Sequence, residues 1–168
     1  MTVLGWTLIA YVVIERLVEL VIDRRNRRML LAKGAHEVGA DHYPAMVAMH
    51  VSWLASVVAW AIFGNVVFVP LLAVLYGVVQ PLRFWVMASL GPYWTTRIIT
   101  LPDAPLVKRG PYRFLKHPNY VVVVLEVALL PLALGAWSLA VLFSLLNAAM
   151  LWRRISVENT ALAVRSHT

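Results

Sequence analysis

The sequence predicts an all-α integral membrane protein with about five transmembrane helices, a cytoplasmic loop and a short C-terminal helix. Hydrophobic residues make up 61% of its 168 residues, and the mean hydropathy is +0.76, whereas soluble domains are about 45–50% apolar. Helices are favoured because every backbone polar group must be satisfied inside lipid, and the apolar runs are continuous rather than alternating as in a β-barrel. No repeat or flexible linker divides the chain, so residues 1–168 are expected to form one domain.

Five apolar runs define the predicted helices. A bilayer span needs roughly 17–25 residues, so the first three runs are long enough and the last two are marginal. A short turn at residues 135–138 joins the last two into a predicted helical hairpin, which would either span the bilayer or re-enter on the same side. The runs cover residues 3–22, 44–63, 66–88, 119–135 and 137–152.

Basic residues favour one orientation of this arrangement. Every Lys and Arg except Arg16 lies in segments 23–43 and 81–118 or beyond residue 152, on one side of a five-span protein. The positive-inside rule makes that side cytoplasmic, with the N-terminus outside and the C-terminus inside. The net charge of +7 is therefore interpreted as a topology signal, and no nucleic-acid partner is expected.

Ionisable residues inside a membrane span are costly and mark a functional site by default, and the first and fourth predicted spans contain Glu15, Arg16, Glu19 and Glu126. Glu15 and Glu19 share one face of the first helix, and Arg16 is placed to pair with Glu19. Glu126 stands alone in the fourth helix, where it would face a cavity or pair with a cation such as Arg16 or Arg83. The alternative for the first three is a structural ion pair near the inner end of the helix.

The segment at residues 108–120, KRGPYRFLKHPNY, carries the strongest functional signal. Pro118 suits the first turn of a helix, which leaves His117 as the last residue before it, and Tyr120 three residues later shares its surface. The loop before this helix is long, and long loops in compact proteins are usually functional or disordered. The alternatives are an interfacial belt of aromatic residues and a His117 that only caps the helix.

The last helix offers a second group of polar residues. Asn147, Arg154 and Glu158 are spaced by seven and four residues, so they share one helical face. Glu158 would lie beyond the membrane and could accept hydrogen bonds from ribose hydroxyls or an ammonium group. The alternative is a solvated helix with an ordinary Arg–Glu pair.

Several other classes of site lack their motifs. The chain has no Cys, and His36, His42 and His50 do not form a helical metal-binding pair, so no metal site is expected. The sequence contains no phosphate-binding loop, dinucleotide fingerprint or nucleophile elbow.

Residues 110–120, followed by a hairpin and then by Arg154 and Glu158, resemble the isoprenylcysteine carboxyl methyltransferase family. That resemblance implies an integral membrane enzyme that uses S-adenosylmethionine. Two positions differ from the family signature: Lys116 stands where Arg is usual, and Asn159 replaces the second member of an acidic pair.

The N-terminal half resembles a bacterial branch of that family. The matching stretches are residues 15–20, 25–26 and 42–47. Members of this branch are associated with methylation of long-chain alkylpyrones and alkylresorcinols. The resemblance implies a bacterial inner membrane, a lipophilic small-molecule substrate and membrane lipid as surroundings.

The resemblance also implies that the two halves of the chain have different roles. Residues 1–90 would form three N-terminal spans, and residues 91–168 the half that binds the cofactor. The expected cofactor-binding residues are Arg109, Tyr112, Lys116, His117, Tyr120, Arg154 and Glu158.

The expected catalytic residues depend on the methyl acceptor. A carboxylate or an acidic enol is already ionised, and Arg83 or Arg97 would orient the anion. A phenol has a pKa of about 10 and would need a base, for which Glu15, Glu19 and Glu126 are candidates. The alternatives to a methyltransferase are a membrane NADPH reductase with sterol-reductase-like architecture, a small transporter and a structural membrane subunit.

Overall fold

The computed structural model describes residues 3–102, 104 and 106–165. Five long helices dominate this part of the chain, together with short 3-10 turns and one antiparallel pair of two-residue strands, β1 (His36–Glu37) and β2 (Ile99–Thr100). The helices are α1 (Val3–Ala32), α2 (Tyr43–Phe63), α3 (Pro70–Leu90), α4 (Pro118–Ala133) and α5 (Trp137–Arg165).

Three segments in the described chain are long and apolar enough to cross a membrane. They are Ala40–Phe63, Pro70–Tyr93 and Trp137–Leu162. Helix α1 is longer, with 30 residues, but carries three charged residues in its apolar half, and α4 has only 16 residues. The helices fit the predicted all-α membrane class, whereas the count of five spans and their orientation stay predictions.

The short separate C-terminal helix predicted from the sequence is wrong. Helix α5 continues for 29 residues from the hairpin turn to Arg165, because no Gly or Pro interrupts this stretch. Glu158 therefore sits on the same rigid helix as the buried Asn147.

The hydrophobic core lies towards the end of the bundle that carries the α2–α3 and α4–α5 turns. Val57, Tyr76 and Leu130 are fully buried there. Pro131 has no N–H, so the carbonyl of Val127 four residues earlier loses its helical donor. The indole N–H of Trp53 donates to that carbonyl at 3.2 Å, which fixes α2 against α4.

We call the opposite end the basic end, where α1, α3 and α5 end and α2 and α4 begin. The segment that follows α3 is tied to α1 there by two buried polar side chains. Asn26 donates to the carbonyls of Gly91 (3.1 Å) and Trp94 (2.8 Å), and Asp23 accepts from the backbone N–H of Thr96 at 2.7 Å. These bonds hold the long loop in place, as expected for a functional rather than a disordered segment.

The path of the loop that leads into α4 depends on a close contact at Gly110. Its φ is +57°, and a Cβ there would lie 2.0 Å from Ser89 Oγ, so only glycine fits. The preceding Arg109 donates from Nε to the carbonyl of Ser89 at 2.8 Å. Together these contacts fasten the 3-10 turn at Gly110–Arg113 to the end of α3.

Candidate functional site

A cavity of about 530 Å³ opens at the basic end of the bundle. It is bounded by the loop between α3 and α4, the first turn of α4 and the last turns of α5. Its size lies within the roughly 300–1,000 Å³ of small-molecule sites. Its lining combines aromatic and aliphatic side chains with charged ones, including Trp94, Tyr112, Lys108 and Arg154.

A network of four side chains joins the start of α4 to the end of α5. The rings of His117 and Tyr120 stack at 5.3 Å between centroids, which confirms that they share a surface. The hydroxyl of Tyr120 donates to Glu158 and accepts from Arg154 Nε at 2.9 Å. His117 Nδ1 lies 3.4 Å from Glu158 Oε2. All four side chains line the cavity.

The hairpin explains how distant sequence positions meet. Pro118 is at the first helical position and His117 is the N-cap residue, as predicted, but His117 makes no capping hydrogen bond. Its Nε2 instead pairs with Asn159 Oδ1 at 3.0 Å. Because α4 and α5 run antiparallel, the first turn of one packs against the last turns of the other. His117 is therefore part of a network across the hairpin.

Arg154 connects this network to the loop. Besides Tyr120, it donates from Nη2 to the carbonyl of Thr96 at 2.7 Å, and it is buried. No direct Arg154–Glu158 ion pair occurs in the described part of the chain, so Arg154 and Glu158 do not form the simple solvated pair that was the alternative. Tyr120 stands between them.

Glu158 raises the pKa of two titratable groups that lie outside the apolar helices. The hydrogen bond with Glu158 raises the pKa of His117, although partial burial acts in the opposite direction. Burial raises the pKa of Tyr112, and the Glu158 carboxylate raises it further. Tyr112 therefore remains a neutral phenol at physiological pH, while His117 is biased towards its cationic form.

The cavity has a surplus of positive charge. Arg97 pairs with Glu37 at 2.6 Å and lies over the ring of Tyr43 at 3.8 Å, so its charge is balanced outside the cavity. Within the residues that the structure describes, Lys108 and Lys116 have neither an ion pair nor a hydrogen bond to a side chain, and both line the cavity. The cavity therefore suits a ligand that carries an anionic group such as a carboxylate.

The predicted cofactor-binding residues divide into two groups. Arg109 does not line the cavity, because its guanidinium is bound to the end of α3. The other predicted residues line it: Tyr112, Lys116, His117, Tyr120, Arg154 and Glu158.

Sequence reasoning did not assign a site role to several residues of the cavity. Trp94, Lys108 and Asn159 line it, and Thr96 anchors Arg154 through its carbonyl. Lys108 belonged to the segment at residues 108–120 that carried the strongest functional signal, but it was not named as a site residue. The backbone contact of Thr96 leaves no signal in a single sequence.

A second polar cluster lies inside the bundle. Arg83 of α3 donates to Glu19 of α1 at 2.7 Å and to Glu126 of α4 at 2.6 Å. Arg16 donates to Glu19 at 2.9 Å, and to Glu15 and Glu126 at 3.0 Å each. The predicted pairing of Arg16 with Glu19 is confirmed, as is a cation partner for Glu126. We call these five residues the buried ion cluster.

The buried ion cluster lies deeper than the cavity and none of its five residues lines it. Glu126 is six residues beyond Tyr120 on α4, and Arg83 is seven residues before Leu90 on α3, which corresponds to about 9 Å and about 10.5 Å along the two helices. The cluster joins α1, α3 and α4, so its geometry supports a structural role directly.

The fold and the cavity define the general class of this protein. It is a helical membrane protein with a polar, cofactor-sized cavity at one end of its bundle. The particular family follows from comparison with known proteins. Residues 71–164 match the isoprenylcysteine carboxyl methyltransferase family, and the chain belongs to that family. The match begins in α3 and covers every element that lines the cavity except Leu30 of α1.

The chain is also similar to two uncharacterized bacterial proteins. The chain is 40% identical over 161 residues to the uncharacterized protein YpbQ of Bacillus subtilis (strain 168), covering 94% of this chain and 95% of that protein. It is 28% identical over 109 residues to an uncharacterized protein of Haemophilus influenzae (strain ATCC 51907 / DSM 11121 / KW20 / Rd), covering 62% and 63% of the two chains. No solved structure matches the chain.

Family membership makes the protein a membrane methyltransferase. Enzymes of this family use S-adenosylmethionine in general. Both relatives are uncharacterized, so the narrower resemblance to alkylpyrone and alkylresorcinol methyltransferases stays a prediction.

Proposed function

We propose that the protein transfers a methyl group from S-adenosylmethionine to an oxygen atom of a lipophilic acceptor at the cytoplasmic face of a bacterial inner membrane. The observation that carries the proposal is the cavity between loop, α4 and α5, with the His117–Tyr120–Glu158–Arg154 network on its wall. This network occupies the positions that the family signature marks. Its place at the end of a membrane-embedded bundle brings a water-soluble donor close to a lipid-dissolved acceptor.

The residues around the cavity fit S-adenosylmethionine. When bound, this cofactor supplies an electrophilic methyl group on a sulfonium. Glu158 would accept hydrogen bonds from its ammonium or its ribose hydroxyls, and His117 and Arg154 would face its carboxylate. Trp94 and Tyr112 supply aromatic surface for the adenine. Tyr120 would fix the orientation of Glu158 by donating to it.

The acceptor decides what the buried ion cluster does. An acceptor that is already ionised needs no base, and the cluster then has a structural role. A phenolic acceptor needs a base, and Glu15, Glu19 or Glu126 would have to receive its proton. Because every carboxylate in the cluster is paired with a guanidinium and lies deeper than the cavity, we favour the structural role for Glu15, Glu19, Glu126 and Arg83.

The test of the proposed function is binding and turnover in detergent or nanodiscs. S-adenosylhomocysteine should bind the purified protein in calorimetry and NADPH should not. Methyl transfer should then be detected with one or more acceptors from a panel of prenylcysteine, alkylpyrone and alkylresorcinol compounds. Binding of NADPH alone would favour the reductase, and binding of neither would leave a transporter or a structural subunit.

The role of the cluster is tested separately. Glu15→Gln, Glu19→Gln and Glu126→Gln should slow transfer to a phenol, but not to an acidic enol, if one of these residues is a base. For the structural role we expect equal effects on both acceptors, accompanied by lower thermal stability. A phenol-specific loss would contradict the structural assignment.

A further inference from the structure

Two buried polar atoms of residues on the cavity wall have no hydrogen-bond partner. They are the indole N–H of Trp94 and the Oδ1 atom of Asn119, and both residues line the cavity. Other buried polar atoms in the described chain are also unpartnered, but none of them belongs to a residue that lines the cavity. Leaving a buried donor or acceptor unpaired is costly, so a ligand of this cavity is expected to supply the missing partners.

We propose that Trp94 and Asn119 hydrogen-bond to the edge of the adenine base and make the cavity selective for adenine over other purines. The inference rests on the proposed use of S-adenosylmethionine. It adds which residues recognise the base and on which side of the cavity the base lies.

The two residues lie on the side of the cavity next to α3. Trp94 follows Leu90, the last residue of α3, by four positions. Asn119 lies three residues before Val122, which is fully buried against two valines of α3. Residues three apart share one face of a helix, so Asn119 lies on the face of α4 that packs towards α3.

The charged groups lie on the other side of the cavity. Arg154 and Glu158 belong to α5, and Tyr120 is hydrogen-bonded to both. This separation matches the two ends of S-adenosylmethionine, because its amino-acid end is charged and its adenine is uncharged and aromatic. Tyr112 packs against the valines between α3 and α4 and, with Trp94, supplies aromatic surface at the uncharged end.

The hydrogen-bonding groups of the pair suit adenine. An indole N–H is only a donor, and an amide oxygen is only an acceptor. Adenine carries a ring-nitrogen acceptor beside its N6 amino donor, so Trp94 would donate to the ring nitrogen and Asn119 would accept from the amino group. Hypoxanthine has a carbonyl in place of the amino group, and that oxygen would face Asn119 Oδ1 with no hydrogen between them.

Trp94 is held in place without the use of its indole N–H. Its side chain is 3% exposed, and its backbone carbonyl accepts a hydrogen bond from Asn26 Nδ2 at 2.8 Å. A group that is fixed before binding loses little conformational freedom when the ligand arrives. The N–H of Trp94 is therefore a preorganised donor for the base.

The test compares S-adenosylhomocysteine with S-inosylhomocysteine, in which hypoxanthine replaces adenine, by calorimetry on the full chain in detergent. The wild type should bind the adenine compound about tenfold or more tightly, because a site built to hydrogen-bond a ligand rejects an analogue that leaves its polar groups unpaired. Asn119→Leu removes the acceptor at similar size and should lower this ratio of affinities about fivefold.

Trp94→Phe keeps an aromatic ring and removes the N–H. It should weaken S-adenosylhomocysteine binding about fivefold. The loss should vanish for either the 1-deaza or the 7-deaza analogue of this compound, since one of them lacks the ring nitrogen that receives the N–H. Loss of packing alone would weaken all three compounds equally. This variant keeps the inference testable even if Asn119→Leu fails to fold.

The matched controls are Asn65→Leu and Trp152→Phe. Asn65 is exposed in the α2–α3 turn, Trp152 is 80% exposed on α5, and neither lines the cavity. Both variants should bind all the compounds as the wild type does.

Any one of three results would overturn the inference while leaving the proposed function intact. They are equal affinity of the wild type for the adenine and hypoxanthine compounds, an unchanged preference in Asn119→Leu, and an equal loss for S-adenosylhomocysteine and both deaza analogues in Trp94→Phe. Absence of S-adenosylhomocysteine binding in the wild type would instead overturn the proposed function itself.

Discussion

The contact between His117 and Glu158 makes part of the stability dependent on pH. The hydrogen bond with Glu158 raises the pKa of His117, so the charged pair contributes fully below the ordinary histidine pKa of about 6.5. That contribution is lost as the pH rises through the raised pKa of the folded state.

We therefore predict that His117→Gln lowers the thermal midpoint most near about pH 6 and progressively less towards alkaline pH. Thermal unfolding of the ligand-free protein in detergent, repeated across this range, measures the effect. A difference between wild type and variant that stays constant with pH would contradict the pairing.

Glu158 is expected to have the largest effect on cofactor affinity of any single side chain in the cavity. Glu158→Gln keeps the shape but removes the charge, and hydrogen bonds to charged groups contribute about 1.5–3 kcal/mol. We predict that affinity for S-adenosylhomocysteine falls about tenfold or more, as measured by calorimetry.

The control for Glu158→Gln is Ser156→Ala, an exposed position on the same helix. It should bind S-adenosylhomocysteine as the wild type does. Equal affinity in Glu158→Gln and Ser156→Ala would exclude a direct contact between Glu158 and the cofactor.

At the scale of the helices, the buried ion cluster joins α1, α3 and α4. Arg83 bridges Glu19 and Glu126 with a side chain that is 5% exposed. Removing one partner leaves uncompensated buried charges, which typically costs about 3–5 kcal/mol. Arg83→Met should therefore strongly destabilise the protein.

Denaturation in mixed micelles measures this destabilisation, and Arg113→Met is the control because Arg113 is exposed and in no ion pair within the described chain. Equal stability of the two variants would mean that the cluster does not hold the helices together. In that case Arg83 would again be a candidate for orienting the acceptor.

For the whole molecule, the basic end is predicted to face the cytoplasm. The absence of Cys allows single cysteines to be introduced and labelled. In intact cells, Asn65→Cys in the α2–α3 turn should react with a membrane-impermeant maleimide, and Lys33→Cys at the end of α1 should react only after permeabilisation. The reverse pattern would invert the orientation and place the cavity outside.

Local features of the fold were predictable from the sequence because they depend on neighbouring residues. Pro118 began α4 where its missing N–H is harmless, and Arg16 paired with Glu19 one helical turn away. The sequence placed Asn147, Arg154 and Glu158 on one helical face, but the full length of α5 was missed because its charged end was also interpreted as a short C-terminal helix. No Gly or Pro marks the end of its apolar part, so the helix continued beyond that part.

The sequence by itself determined the membrane class, the hairpin and six of the polar residues that line the cavity, because apolar run length, Gly and Pro positions and the family signature are all local features of the sequence. Only the tertiary structure decided which partners those residues have. It paired Glu158 with Tyr120 and His117 across the hairpin, bound Arg109 to the end of α3, and joined Glu126 to two arginines from other helices. The physical reason is that such contacts depend on the rotation and depth of packed helices, and no local pattern specifies either.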